Sequence, residues 1–560
     1  MHETRRWLTA ILLYTLVATG PVAAQDEPDY TDANAYILQA EMALQREDYL
    51  MAVEEYRKAA MLSDNPDVAK QATLTGMALG FDDEALRAAE RWLDLDESSD
   101  EARVFVAQLN FRTGDIRAAR RHFTELLEKG EEPAGEKLVL LSRYLQEGGD
   151  PEDADKLMRA LAKPYEDSAL AHYAVATMAL HSGDTEQALE SAQRAIDIEP
   201  DNLKLKLLYG RALLQSGEID EAVDYTARLV GDDMDPDPDA RIELAIMYMM
   251  AERPDYALSQ VNQVLLEQPG RVDALRLMAI INFHKENLDA AWDDFHDLLA
   301  SNQYRMDALY YLGRIADIRE ETDRAIRFYS EVRQGSNALA SQQRAAALMA
   351  HEKDDLEGAL ALLDGFRDAS PTDAVDTVRA KAMLLASVDE WEEALTYYDK
   401  FVEFRPDDER AALSRAELLV RMDRINDALD AYDDAVDRWP ESAMALNAYG
   451  YTLADRTDRY RKAEKLIRKA LKYDPESPAI IDSMGWVLYK RGRYEEALVE
   501  LERAWDGMQD HEVAAHIVET LVALDRRDEA LERLVEAEEM APDSDLLRAV
   551  RERHFGDAPQ

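Results

Sequence analysis

The sequence of 560 residues contains no cysteine. Disulfide bonds, thiolate metal sites and cysteine nucleophiles are therefore excluded. A lipid anchor on an N-terminal cysteine of the mature chain is excluded for the same reason. A chain of this length without disulfides needs another source of stability, and stacked apolar helix faces can supply it.

Common catalytic motifs are also missing. The sequence has no phosphate-binding glycine loop and no GxSxG segment. His511 and His516 resemble the histidine pair of a zinc-protease helix, but they are five residues apart instead of four. That spacing turns them about 140° away from each other on a helix, whereas the protease motif needs both on one face. We therefore expect no metal, no cofactor and no enzymatic activity.

Positive charge is scarce. Lys and Arg number 65 against 115 Asp and Glu, which gives a net charge of −50. Such a chain repels nucleic acid and anionic lipid, so neither is expected as a partner. The excess of carboxylates by itself indicates a well-solvated surface.

The N-terminus has the pattern of an export signal. Arg5 and Arg6 precede an apolar run over residues 7–18, and small residues follow up to Ala24. This order is typical of a secretory signal peptide, and the run is short for a transmembrane helix. We predict a signal peptide at 1–24, a polar lead-in at 25–32, and a product in the periplasm that is associated with the cell envelope. An uncleaved anchor is the alternative.

The rest of the chain is marked by regularly spaced alanines. Every step between neighbours is 33, 34 or 35 residues, and the fifteen positions are Ala52, Ala85, Ala119, Ala154, Ala188, Ala222, Ala257, Ala291, Ala325, Ala359, Ala394, Ala428, Ala463, Ala497 and Ala530. A repeat of this length is typical of a solenoid built from helix pairs. Alanine is expected where two helices cross closely, because a larger side chain would overpack the crossing at a cost of roughly 1–3 kcal/mol.

The residues around each alanine define the two helices. Seven residues after every alanine the side chain is apolar, which places both positions on one buried helix face. A small residue such as Gly450 or Gly485 comes about twelve residues earlier, and a proline such as Pro475 ends the second helix in seven repeats. First helices are predicted to begin near residues 33, 67, 100, 135, 169, 203, 238, 272, 306, 340, 375, 409, 443, 478 and 511.

This pattern resembles the tetratricopeptide repeat. In residues 478–511 the matching positions are Gly485, Gly492, Tyr494, Ala497, Leu501 and Ala504. The resemblance implies an all-α, right-handed superhelical solenoid of about fifteen repeats over residues 33–544. A capping helix and tail follow at 545–560, and the implied role is binding proteins.

In this family the first helix of each repeat lines the inner surface. Tyr451 and Trp486 hold equivalent positions in neighbouring repeats, so they are predicted to stand side by side in a binding groove. Interface anchors are often such aromatic residues with polar groups around them. The other predicted partner-binding residues on the first helices are Arg421, Asn447, Asp482, Tyr489 and Lys490. The alternative is that the two rings only pack between adjacent helices.

Residues 455–472 form a basic island, with eight Lys and Arg against three acids. The island spans the turn and second helix of one repeat, so it is expected on the outer face. Arg461 and Lys465 represent a candidate site for an acidic protein or a phosphorylated glycan. Pairing with neighbouring carboxylates is the alternative.

Residues 446–522 resemble a particular group within the repeat family. They are similar to the C-terminal part of long periplasmic repeat proteins of proteobacteria, which include the lipoprotein adaptor of a carboxyl-terminal processing protease. The segments Asn447–Tyr451 and Asp482–Trp486 carry most of the likeness. The resemblance implies an adaptor that presents cell-wall hydrolases to the protease, although the adaptor is lipidated and this chain has no cysteine. A scaffold for exopolysaccharide or secretion machinery and a glycan-binding module are the alternatives.

Overall fold

The structure is a computed structural model that describes residues 32–129, 131–231, 237–301 and 303–556. The predicted signal peptide, residues 25–31 of the lead-in and the last four residues lie outside the described residues. Within the described ranges all regular secondary structure is helical, which confirms the predicted all-α solenoid of helix pairs. In these ranges every helix is too short or too polar to cross a bilayer.

The chain divides into two compact units, residues 1–377 and residues 378–560. The described helices of unit 1 are α1 (Ala33–Gln45), α2 (Tyr49–Leu62), α3 (Pro66–Leu79), α4 (Asp82–Leu95), α5 (Asp100–Arg112), α6 (Ile116–Glu128), α7 (Ala134–Gln146), α8 (Pro151–Ala162), α9 (Ala169–Ser182), α10 (Thr185–Ile198), α11 (Leu203–Gln215), α12 (Ile219–Val230), α13 (Pro238–Met250), α14 (Pro254–Glu267), α15 (Val272–His284), α16 (Leu288–Ser301), α17 (Arg305–Ile318), α18 (Thr322–Glu331), α19 (Ala338–Lys353) and α20 (Leu356–Ala369). The boundary falls within α21 (Ala374–Ser387). The described helices of unit 2 are α22 (Trp391–Phe404), α23 (Glu409–Arg421), α24 (Ile425–Arg438), α25 (Ala443–Arg456), α26 (Tyr460–Tyr473), α27 (Pro478–Lys490), α28 (Tyr494–Gly507), α29 (His511–Ala523), α30 (Arg527–Met540) and α31 (Asp545–Phe555).

The spaced alanines lie in the second helices, α2 to α30, and all fifteen are 0% exposed. Each first helix begins within two residues of the start that the alanine spacing predicts. The small residues in the second half of the first helices, such as Gly450 and Gly485, face the second helix of the same repeat. A Cβ added at Gly450 would lie 2.6 Å from Cγ1 of Ile467, and one at Gly485 would lie 2.5 Å from Cγ of Leu501. Both distances are too short for carbon atoms, so these crossings require glycine.

Local hydrogen bonds set the helix boundaries. The Ser442 hydroxyl accepts from the Ala445 N–H at 3.0 Å and begins α25, and the Asp408 carboxylate begins α23 in the same way. The turn within a repeat uses a left-handed residue, which is Gly492 (φ 74°) in one repeat and Asp423 (φ 58°) in another. These turns hold the two helices of a repeat against each other.

Unit 1 also contains a contact that the repeat pattern does not predict. Arg367, in α20, forms an ion pair with Glu47, which lies 320 residues away in the turn between α1 and α2. The same guanidinium lies 3.0 Å from the Asp364 carboxylate. Tyr49, next to this contact in sequence, is buried, and the 3₁₀ turn Pro371–Asp373 packs against α3. The first and last helix pairs of the described part of unit 1 are therefore in contact.

Candidate protein-binding site

The first helices of unit 2 carry a row of side chains at equivalent positions. In chain order the row consists of Met383, Glu417, Tyr451, Trp486 and Glu519, with steps of 33 to 35 residues. Because equivalent positions of successive repeats face the same way, these side chains lie on one face of α21, α23, α25, α27 and α29. Aromatic and carboxylate groups therefore share this face.

Trp486 lies at the centre of a ring stack. Its ring is 4.9 Å from that of Tyr489 and 4.1 Å from that of His516, with interplanar angles of 8° and 18°. The Lys490 ammonium lies 4.5 Å from the same ring, an arrangement that allows a cation–π attraction. Trp486 is 9% exposed, so little of the ring remains accessible to a partner. Its packing agrees with the alternative interpretation, and its role as an anchor stays a prediction.

His516 connects the residues that the sequence predicted separately. Its Nδ1 lies 2.9 and 3.1 Å from the two carboxylate oxygens of Asp482, and both side chains are buried. Its ring is also 6.5 Å from that of Tyr451. In the sequence His516 stands out only for a spacing from His511 that does not suit a metal, so the repeat pattern does not predict this role. Among the described residues, no group of three or more His, Asp or Glu is arranged to hold a metal ion.

Tyrosine hydroxyls bind carboxylates on both sides of this stack. The Tyr451 hydroxyl donates to Glu512 at 2.5 Å, and burial together with this carboxylate raises the pKa of Tyr451. The Tyr489 hydroxyl donates to Glu519 at 3.4 Å, and burial and that carboxylate raise the pKa of Tyr489 to about 12. Both phenols therefore act as hydrogen-bond donors at neutral pH.

Helix α31 supplies an arginine and a histidine that contact Glu519. The Arg553 guanidinium forms an ion pair with this carboxylate, and Nε2 of His554 lies 2.8 Å from it. Because α31 follows the last pair of the repeat pattern, the sequence predicts only a capping role for it. The structure shows that it also neutralises a buried acid of the row.

Asn447 lies one helical turn before Tyr451 on α25. Its side-chain oxygen is buried and accepts no hydrogen bond within the described residues. A buried acceptor without a donor costs about 1–3 kcal/mol. A bound polypeptide could remove that cost by donating a backbone N–H, once the Asn447 side chain has turned outward to expose the oxygen.

Arg421 belongs to a separate part of this surface. It lines a cavity of about 250 Å³ together with Met383, Tyr398, Ser414 and Glu417. Its guanidinium lies 3.3 Å from the Glu417 carboxylate. Within the described part of unit 2, no ring contact or hydrogen bond joins Arg421 to the Trp486 stack. The predicted site residues therefore divide into this cavity, the stack and the basic island.

Some cations of the basic island pair with neighbouring groups, and others are left available for a partner. Several of its cations are paired locally: Arg456 with Asp423, Lys462 with Asp433, Arg468 with Glu464, and Lys469 with the backbone oxygen of Pro440. Arg461 and Lys465 are exposed and make no ion pair or side-chain hydrogen bond within the described residues. Local pairing therefore explains part of the island and leaves these two cations available.

Comparison with solved structures returns helical repeat proteins. A thermophilic tetratricopeptide repeat protein of Thermus thermophilus is 22% identical, with 31% of this chain and 95% of that chain covered and a TM-score of 0.29. Yeast Tom70 is 15% identical, with 93% and 96% covered and a TM-score of 0.34.

Sequence comparison identifies the repeat type. A "TPR repeat-containing protein" of Pseudomonas aeruginosa is 36% identical over 218 residues, which are 38% of this chain and 36% of that protein. The match therefore spans about a third of the relative's length. One family model described as "Tetratricopeptide repeat" matches residues 179–238 and 456–516, and another with this description matches 139–202 and 413–478. The chain thus contains tetratricopeptide repeats in both of its units.

Proposed function

We propose that this chain is a non-enzymatic scaffold that binds a polypeptide along the first helices of unit 2. Tetratricopeptide repeats generally mediate protein–protein interactions, so a protein-binding role is supported. The main support for placing the binding site here is the buried, unpaired oxygen of Asn447, which lies one turn from Tyr451 on the same helix face. Once the Asn447 side chain has turned outward, an extended or helical segment could donate to this oxygen and contact the tyrosine.

We further propose that the bound proteins are a carboxyl-terminal processing protease and the cell-wall hydrolases that it degrades. Support comes from the resemblance of residues 446–522 to periplasmic repeat proteins and from the export pattern at residues 1–24. Under this proposal the chain works in the periplasm without a lipid anchor. It brings enzyme and substrate together and performs no chemistry itself.

Affinity purification from envelope extract tests this proposal. The tagged wild-type chain should recover the protease, and Asn447→Leu should recover at least several-fold less of it. Asn282→Leu is the matched control, since Asn282 hydrogen-bonds Asp294 at 2.7 Å within unit 1 and should not affect the partner site. Equal recovery by all three chains would place the partner elsewhere.

The same experiment separates the alternatives. Recovery of polysaccharide-synthesis or secretion proteins in place of the protease would favour a scaffold for those machines. Binding of the purified chain to peptidoglycan, lost on Tyr451→Ala, would favour a glycan-binding module. Neither result is expected if the partner is the processing protease.

The proposed export has its own test. N-terminal sequencing of the chain from the periplasmic fraction should give a start at Gln25, because Ala24 and the small residues before it suit the signal peptidase. A membrane-bound product that retains residues 7–18 would contradict cleavage.

A further inference from the structure

Helices α26 and α28 are the second helices of neighbouring repeats in unit 2, and they are buried in the same register. The buried positions are Ala463, Ile467 and Ala470 on α26 and Ala497, Leu501 and Ala504 on α28, all 0% exposed. Each position on α28 is 34 residues after its counterpart on α26. Outward positions 34 residues apart must therefore point the same way as well.

The outward side of α26 is a basic stripe, which consists of Arg461, Lys465, Arg468 and Lys472. These residues lie about 140–200° around the helix from Ala463. All four are exposed, and Arg461, Lys465 and Lys472 make no ion pair or side-chain hydrogen bond within the described residues. Arg468 pairs with Glu464.

Glu464 cannot neutralise the basic stripe. This buried carboxylate also forms ion pairs with Arg491 and Arg493 from the following repeat. Arg493 also pairs with Glu496, so within the described residues Glu464 is the only ion-pair partner of Arg468 and Arg491. The surface around α26 stays positive in a chain whose net charge is −50.

The outward side of α28 is an acidic stripe, which consists of Glu495, Val499, Glu502 and Asp506. These are the positions 34 residues after the members of the basic stripe. The three carboxylates are exposed and make no ion pair or hydrogen bond through their side chains in the described part of unit 2. Val499 is 66% exposed, which is unusual for an apolar side chain at the centre of a charged stripe. Because both stripes point outward, they do not pair with each other within one molecule.

We propose that two copies of this chain associate through these two stripes. The proposed two-fold axis runs parallel to the helices, in front of the outer surface and midway between α26 and α28. It would place α26 of each copy over α28 of the other. The equal spacing then sets Arg461 opposite Glu495, Arg468 opposite Glu502 and Lys472 opposite Asp506, each pair occurring twice. Lys465 faces Val499, over which its aliphatic stem can pack.

The size and charge of the stripes determine how strong this contact is. Each helix of 14 residues is about 21 Å long, so two helices from each copy make a patch at the small, transient end of protein interfaces. The like net charges of two copies repel at long range, but salt near 0.15 M limits this repulsion to about 8 Å. We therefore expect a weak dimer at high protein concentration and moderate salt. This dimer does not depend on the partner site of the first helices.

Sedimentation velocity of the mature chain from about 10 to about 200 μM covers the affinity expected for a small interface. The wild-type sedimentation coefficient should rise with concentration. The variant Arg461→Glu/Lys465→Glu/Lys472→Glu and the variant Glu495→Lys/Glu502→Lys/Asp506→Lys should each dissociate at least tenfold more readily. An equimolar mixture of the two should regain the dimer, because each reversed stripe then faces its complement.

A matched control and a folding check complete the experiment. Arg117→Glu/Arg120→Glu/Arg143→Glu makes the same change in charge at exposed, unpaired arginines of unit 1, and it should dimerise as the wild type does. Circular dichroism melting should be the same for all variants. A wild-type chain that stays monomeric throughout, or a mixture that regains no dimer, would overturn the proposal.

Labelled poly-L-glutamate distinguishes another occupant of the basic stripe. A monomeric wild type that binds this polymer, with binding lost in the triple glutamate variant, would assign the stripe to an acidic partner protein. That result would also overturn self-association, while the proposed function of the first helices would stand.

Discussion

Two aromatic groups, one in each unit, differ in what surrounds their rings. The group in unit 1 consists of Phe283, Trp292, Phe295, Tyr311 and Phe328. Its rings contact each other, a histidine and cations. Phe295 stacks on Tyr311 at 4.7 Å, the ring of His296 lies 4.7 Å from that of Trp292, and the Arg314 guanidinium lies 4.7 Å over Phe283. In unit 2, Trp486 and the two tyrosines beside it contact His516 and three carboxylates.

The difference shows which aromatic group is a candidate site. Packing rings together requires no buried charge, and burying carboxylates and imidazoles costs free energy unless they are paired. Asp482 and Glu519 are each 6% exposed, and in unit 2 this cost is offset by their pairing with His516 and Arg553. The number of aromatic residues and the presence of a histidine do not distinguish the two groups, whereas the carboxylates bound by the rings of unit 2 do.

The largest expected effect comes from removing a ring in unit 1. Phe295→Ala deletes a side chain that is 0% exposed, which should cost about 3–5 kcal/mol in stability. Hydrogen exchange resolved along the chain should show protection lost around α15–α18 and kept in unit 2. Partner binding at unit 2 should not change. Loss of protection throughout both units would contradict the local packing of a solenoid.

A smaller loss should follow from breaking the buried polar pair in unit 2. His516→Leu leaves the Asp482 carboxylate without its partner, which should cost about 1–3 kcal/mol or more. Hydrogen exchange in α27 and α29 measures this loss. The double variant His516→Leu/Asp482→Leu should recover much of it, because neither polar group then remains. A double variant as unstable as the single one would show that the pair is not the cause.

Asn447→Leu should separate binding from stability. The change removes an acceptor that has no donor, so the melting temperature should stay the same or rise. Loss of one hydrogen bond to a bound polypeptide should weaken binding by about tenfold, which corresponds to 1.4 kcal/mol. Titration calorimetry with the purified partner measures this change. Unaltered affinity would remove Asn447 from the site.

The smallest effect is confined to alkaline pH. The raised pKa of Tyr489, about 12 against an ordinary value of 10, means that the folded state favours the protonated phenol. This contribution to stability is complete below pH 10 and is lost as the pH rises from 10 through 12. Tyr489→Phe cannot ionise, so its stability relative to the wild type should improve between pH 9 and pH 11. Hydrogen exchange or urea midpoints at both pH values test this, and an equal alkaline loss in both chains would refute it.

The repeat period predicted where the helices begin and where they cross, but it did not predict the side-chain contacts within the candidate site. Alanine and glycine spacing predicted the helix starts and the close crossings, since those depend on size at fixed intervals. The same spacing placed Tyr451 and Trp486 on one face. It could not show that His516 stacks on Trp486, because ring stacking depends on rotamers and not on period. Arg553 and His554 were missed because they belong to α31, beyond the last registered alanine.

The ion pair between Glu47 and Arg367 has a consequence for the kinetics of folding. In a linear array each repeat touches its neighbours, so folding can begin anywhere and spread. Joining residues 320 positions apart closes a long loop, whose entropic cost is met only once the intervening helix pairs have stacked. Such a contact raises the contact order of unit 1 and forms late. Unit 1 should therefore finish folding with a closing step, and Arg367→Ala should speed its unfolding far more than it slows its folding.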